Sequence, residues 1–226
     1  MRNYIILLFL FVTVSIWAQD TNIVNIDSVT LTGTLNSKTT SIVFENVMYD
    51  GKPVSGTIKP NIAVSKYHID ISGKTNQLSG VVYIRDYKRA LDLSYGGQSI
   101  KGEIKQAVAS GARKWNVEFL NETIQGAVVY NAAGTKATFD LSSRSYNVSG
   151  QIKRKVGAVI YNLTINEKSV KGVIKEGVVG KEYYNLVLDH LSENELVLFF
   201  TIESMRVIEE DLESIEDFQN GDDDHL

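Results

Sequence analysis

The stretch VSGQIKRKVGAVIYNLTINEKSVKGVIKE (Val148–Glu176) decides how the rest of the chain is read. Two segments in it, VSGQI and VKGVI, hold a glycine with apolar residues two positions away on each side, and the two glycines lie 22 residues apart. Between them YNLTI (Tyr161–Ile165) alternates apolar and polar residues. A period of two marks a half-buried strand, and the intervening KVGA and NEKS carry turn residues. The stretch reads as three strands joined by two turns. A glycine returns in mid-strand, where it ordinarily weakens pairing.

The same unit recurs along the chain. Gly33, Gly56, Gly80, Gly102, Gly126, Gly150 and Gly172 follow one another at spacings of 23, 24, 22, 24, 24 and 22 residues. An alternating segment sits between each later pair, starting at Tyr67, Leu91, Trp115, Phe139 and Tyr161, and another follows the last glycine at Tyr184. Each repeat is one β-hairpin. The sequence predicts an all-β fold, an antiparallel meander of about 12–16 short strands built from hairpin repeats, with a C-terminal amphipathic helix.

Opposed residues of an antiparallel pair share a face. Pairing Gly150 with Leu163 sets Ile152 against Tyr161 and Val148 against Ile165. Crossing to the next hairpin, Leu163 is set against Gly172 and Ile165 against Val170. One face is then apolar. The other carries His68, Asp92, Glu103, Asn116, Asp140, Gln151, Asn162 and Asn185. In this register the stagger from hairpin to hairpin is near zero, whereas closed barrels need shear. The expected architecture is therefore an open or rolled sheet, with a flattened barrel as the alternative. A membrane-spanning barrel is disfavoured, because only about three apolar positions per strand are available to face lipid. The glycines have two candidate reasons: room for aromatic rings of the neighbouring row, or a bend where the sheet curls. In period and hairpin shape the repeat resembles MORN-type repeats. The dense glycine spacing of that family is missing, and no function is carried over.

Both ends differ from the repeats. Arg2, the uncharged apolar run Tyr4–Trp17 and the site Ile16-Trp17-Ala18 before Gln19 read as a signal peptide over residues 1–18. The expected location is exported, either periplasmic or extracellular at the cell surface. Cysteine is absent, which rules out disulfides, thiol catalysis and a lipidated N-terminal cysteine. Leu196–Ile202 (LVLFFTI) is expected as a last strand, closing a repeat domain over residues 19–202. Met205, Ile208, Leu212 and Ile215 fall on one helical face, predicting an acidic helix over 203–218 and a disordered tail over 219–226. Residues 203–226 hold ten acidic residues and one basic, out of 27 and 23 in the whole chain, so a basic body carries an acidic C-terminus.

No catalytic constellation emerges. His68, His190 and His225 are not at metal-ligand spacing, and HExxH, GxSxG and P-loop motifs are absent. Asp92 and Glu103 would lie together on an open sheet surface that lacks the burial needed to tune them. Asp222–Asp224 lacks the alternating ligands of a calcium loop. No enzyme activity, metal or cofactor is expected. The inward row Tyr67, Trp115, Phe139, Tyr161 and Tyr184 reads as core, and on an open sheet it would be the best candidate for binding an apolar ligand. The expectation is a non-enzymatic exported bacterial envelope or secreted scaffold. The alternative is a carrier of a lipid or other apolar ligand on the concave face, with the helix as lid. Expected partners are an envelope protein, a polysaccharide or a lipid, with no nucleic acid and no transmembrane span in the mature chain.

Overall fold

The computed structural model describes residues 28–221 apart from 39–40, 74, 108–109 and 178–179. The expected signal peptide and residues 222–226 lie outside the described residues. The odd strands are β1 (Ser28–Lys38), β3 (Lys52–Pro60), β5 (Gln77–Arg85), β7 (Gln98–Gln106), β9 (Glu122–Tyr130), β11 (Asn147–Lys155) and β13 (Lys168–Glu176). The even strands are β2 (Ser41–Tyr49), β4 (Lys66–Ser72), β6 (Lys88–Tyr95), β8 (Arg113–Phe119), β10 (Lys136–Ser142), β12 (Ala158–Ile165) and β14 (Lys181–Asp189). They form an antiparallel meander that closes into a barrel of fourteen strands, β1 pairing with both β2 and β14. One helix, α1 (Glu193–Gly221), follows.

Closure comes from a register offset that the sequence reading missed. Within most hairpins the pairing is as expected: Gly80 opposes Leu93, Gly102 opposes Val117, and Gly150 opposes Leu163. At the next junction the partner of Gly172 is Tyr161 rather than Leu163, and Ile165 pairs with Lys168. The same two-residue displacement sets Leu91 against Gly102, Trp115 against Gly126 and Phe139 against Gly150. Repeated around the sheet, it accumulates as the shear that a tilted, closed barrel requires. The lean towards an open sheet is corrected on this point. The cause is local. β12 and β13 are joined by only Asn166 and Glu167, at φ 49° and 67°. Leu120 and Asn121 join β8 to β9 in the same left-handed conformation. Two consecutive left-handed residues make the tight turn that matches strand twist, and they place it at Asn166-Glu167, one position before the Glu167-Lys168 turn that the expected register implies.

The glycines form one row around the barrel, one on each odd strand. A Cβ on Gly126 would fall well inside 3.0 Å of the Asp140 carbonyl oxygen, and one on Gly172 would meet that of Asn185 in the same way. Their φ values are 136° and 140°, a conformation that side chains rarely adopt. Backbone from the adjacent strand crosses these sites closely, as in glycine kinks that curve a sheet. On the other side each row glycine pairs directly with a large residue: Phe44, Ile69, Leu91, Trp115, Phe139, Tyr161 or Tyr184. Both candidate reasons therefore hold at once.

The inward face of the strands is buried and the outward face is largely polar. What fills the inside is α1. Ten consecutive residues, Leu196–Met205, are buried. A helix with no exposed side lies within a core. Its partners surround it: Phe200 meets Phe44 on β2, Phe199 meets Tyr161 on β12, and Glu209 meets Arg89 on β6 and Arg113 on β8. The helix enters at the upper end, where β1 begins and β14 stops, and leaves at the lower end. Leu196–Ile202 is thus helix and not a last strand, and the helix starts at Glu193 rather than 203. The reason for the misreading is physical: burial on every side leaves no stripe, and a short apolar run then looks like a strand. The start is capped. The Ser192 backbone N–H donates to Glu195 Oε2 (2.6 Å), and the Glu195 N–H donates to Ser192 Oγ (3.4 Å), the reciprocal arrangement of a capping box.

Candidate functional site in the barrel lumen

The strands bring Tyr67, Trp115, Phe139, Tyr161 and Tyr184 to the inner wall, and all five are buried. They do not converge on one site. Tyr161 and Tyr184 donate their hydroxyls to Glu203 of α1, Tyr184 at 2.6 Å. Tyr67 donates to Asp211 Oδ2 at 2.7 Å, lower on the same helix. Trp115 and Phe139 line a gap of 80 Å³ between wall and helix, beside Met205, Arg113 and Arg154.

Glu203 is the centre of the lumen and is fully buried. Burial pushes its carboxyl up. Arg206, whose guanidinium lies 2.6 Å away, and the two tyrosine hydroxyls outweigh that and hold it below the ordinary carboxylate range. Arg206 also pairs with Glu182 of β14 at 2.7 Å and Glu210 at 2.6 Å. Burial, followed by the Glu203 charge, pushes both tyrosine hydroxyls well up. Glu182 is itself raised, chiefly by burial. Below this cluster Glu209 joins Arg89 and Arg113, and Arg154 joins Glu210 and Glu213.

Chemically the cluster around Glu203 is satisfied, while the buried Arg113 Nε and Ser204 Oγ near it have no hydrogen-bond partner. Glu203 is ionised, accepts three partners and meets no solvent, whereas a general base is poised near the working pH and within reach of its substrate. Buried pairs of this kind fix register more readily than they add stability. Here they tie α1 to β6, β8, β11, β12 and β14 at several depths. Among the described residues no three His, Cys, Asp or Glu side chains converge as a metal site. The expected pair Asp92 and Glu103 is not brought together: Asp92 pairs in register with Lys101, Glu103 with Ala90, and their side chains engage lysines. His68 is exposed on the outer wall, and His190 lies on the rim of the upper cavity.

Sequence reasoning missed the arginines of the lumen. Arg89, Arg113 and Arg154 each stand two residues beyond an inward apolar position, namely Leu91, Trp115 and Ile152. Strand parity alone would have placed them inside.

Two larger spaces remain beside the helix. One of 310 Å³ opens at the upper end between Ile71, Leu78, Tyr95, Leu196 and Phe200, with Asp50, Thr75, His190 and Glu193 at its rim. The other, also 310 Å³, lies at the lower end between β1, β14 and α1. No helix among the described residues is long and apolar enough to cross a membrane. Comparison with known proteins gave no match to a family model, a curated protein or a solved structure.

Proposed function

We propose that the chain is a non-enzymatic, exported bacterial envelope or secreted protein, a rigid barrel that serves as a structural or binding scaffold. The observation that carries this reading is the lumen, which the protein's own helix occupies. Recognition then falls to the outer wall and the two ends. The apolar leader before Gln19 supports export. The test is to produce the full chain with its own leader, fractionate the cells and weigh the exported protein intact. Removal of residues 1–18 and a native mass equal to the bare polypeptide support the reading. Retention of the leader in the cytoplasm contradicts export.

A second reading is favoured by the apolar upper cavity, whose 310 Å³ is at the lower limit of ligand pockets. On it, the barrel carries a small lipid or other apolar ligand beside the helix rather than on an open concave face. A co-purifying lipid in the native mass would support this reading against the first.

A further inference from the structure

We infer that the lower end of the barrel is a docking face for an anionic lipid bilayer. The inference rests on the scaffold reading and names the partner of one of its ends.

Two independent features meet there. The first is apolar. Of the seven large hydrophobic side chains exposed among the described residues, six lie on lower-end turns or within three residues of them. Ile62 and Val156 stand at the tips of the β3–β4 and β11–β12 turns with full exposure, 106% and 107%. Tyr87 tops the β5–β6 turn at 60%. The β9–β10 turn presents exposed Ala132 and Ala133. Such side chains gain nothing in water, and several in one plane mark an interaction surface.

The second feature is charge. Lys59 and Lys66 flank the β3–β4 turn, Lys153 and Lys155 end β11, and Lys175 and Lys181 flank the β13–β14 connection. Each of the three hairpins between β5 and β10 adds at least one more cation at this rim. Most are exposed, and the Glu103 carboxylate there is shared by Lys88 and Lys105 at 2.5 and 2.9 Å. The upper end is mixed rather than cationic: Lys52, Arg144 and Lys168 stand there among Asp50, Glu122, Glu167, Asp189 and Glu193.

A ring of fourteen strands spaced about 4.8 Å apart is roughly 25–30 Å across. Its end is an annulus, not a groove, and suits a flat surface better than a linear polymer. Apolar tips in front of a cationic rim match the layering of an anionic bilayer, headgroup charge outside and acyl chain beneath. Two features oppose docking: exposed Asp86 and Glu176 lie on the same rim, and α1 leaves through this end with acidic residues extending past Glu213. Glu209, Glu210 and Glu213 are paired with inward arginines, so they do not neutralise the outward lysines.

The test is flotation of the mature full chain with vesicles of phosphatidylglycerol and phosphatidylcholine, against phosphatidylcholine alone, in low salt. The chain is expected to float with the anionic vesicles only. The rim variant K59Q/K153Q/K155Q/K175Q should lose about tenfold or more in partition. The tip variant I62S/Y87S/V156S, all solvent-exposed changes, should lose severalfold while keeping the circular dichroism of the parent. Absence of flotation with anionic vesicles overturns the inference. So does flotation that the tip variant leaves unchanged and that soluble dextran sulfate abolishes through equal capture, since the site would then serve a polyanion. Either failure leaves the scaffold reading intact with another partner, whereas failure of export removes that reading whatever the vesicles do.

Discussion

At the scale of single residues the row of glycines is the controlling feature. Gly126 sits between Trp115, its pair on β8, and Leu141, its pair on β10, with the Asp140 carbonyl where a Cβ would go. Gly126→Ala is expected to cost roughly 1–3 kcal/mol, read as a lower midpoint in urea with unchanged slope. Trp115 is buried against the helix, so Trp115→Ala should cost about 3–5 kcal/mol. A loss under about 0.5 kcal/mol would place that face in solvent. The period and inward side of these glycines were legible in the sequence, because apolar flanks two residues away share their face. Their backbone conformation was not. It depends on how closely the neighbouring strand approaches, and that distance is set by pairing across the barrel.

Elements were unequally legible. Strands with one dry face show it as alternation, and all the hairpins from Gly56 to Tyr184 stood out. Their register did not, since Leu120-Asn121 and Asn166-Glu167 make tight turns without the Asn-Gly or Asp-Gly that announces them. Helix α1 was half legible. Its lower part showed a face through Met205, Ile208 and Leu212, while its upper part, wet on no side, read as a strand. The capping box in Ser192-Glu193-Asn194-Glu195 was the available signal. The lumen site was less legible still, because Glu203 looked like one acid among ten and its tyrosine partners come from β12 and β14. The Glu203 network predicts how the protein responds to acid. A carboxylate held low in the folded state stabilises above its unfolded value of about 4.5 and loses that contribution as pH falls through the folded value. Glu195 is also lowered, by Lys168 and helix-cap contacts against its burial, and acts in the same direction. Glu182, raised by burial, acts oppositely, contributing below its unfolded value and losing that as pH rises through the folded one. The melting temperature should therefore drop on acidification below about pH 4.5. Glu203→Gln should lower stability at pH 7 by about 1.5–3 kcal/mol and shrink the acid-induced drop. A variant with the parent's full acid response would show that Glu203 is not the group titrating.

On the scale of the whole molecule, the basic body and acidic C-terminus of the sequence turn out to be wall and plug. Most of the acidic residues from Glu203 to Glu213 are spent inside the lumen or at its lower mouth, against Arg89, Arg113, Arg154 and Arg206. Near the end of α1, Glu213 and Ser214 are already exposed. Truncation after Ile215 should leave the melting temperature near that of the full chain and raise binding to anionic surfaces at low salt. Truncation after Ile202 should prevent folding, because it strips the lumen of its lower filling. Equal effects of the two truncations would mean that the helix does not sit where it is described. All of this depends on closure between the first and last strands. The chain has no cysteine, so nitroxide labels at Thr30→Cys and Val187→Cys, outward-facing partners on β1 and β14, report it without interference. Dipolar broadening of the doubly labelled protein should place the two labels on neighbouring strands, within about 15 Å. In an open sheet they would sit on opposite edges, roughly 60 Å apart at about 4.8 Å per strand, and the absence of broadening would contradict the closed barrel.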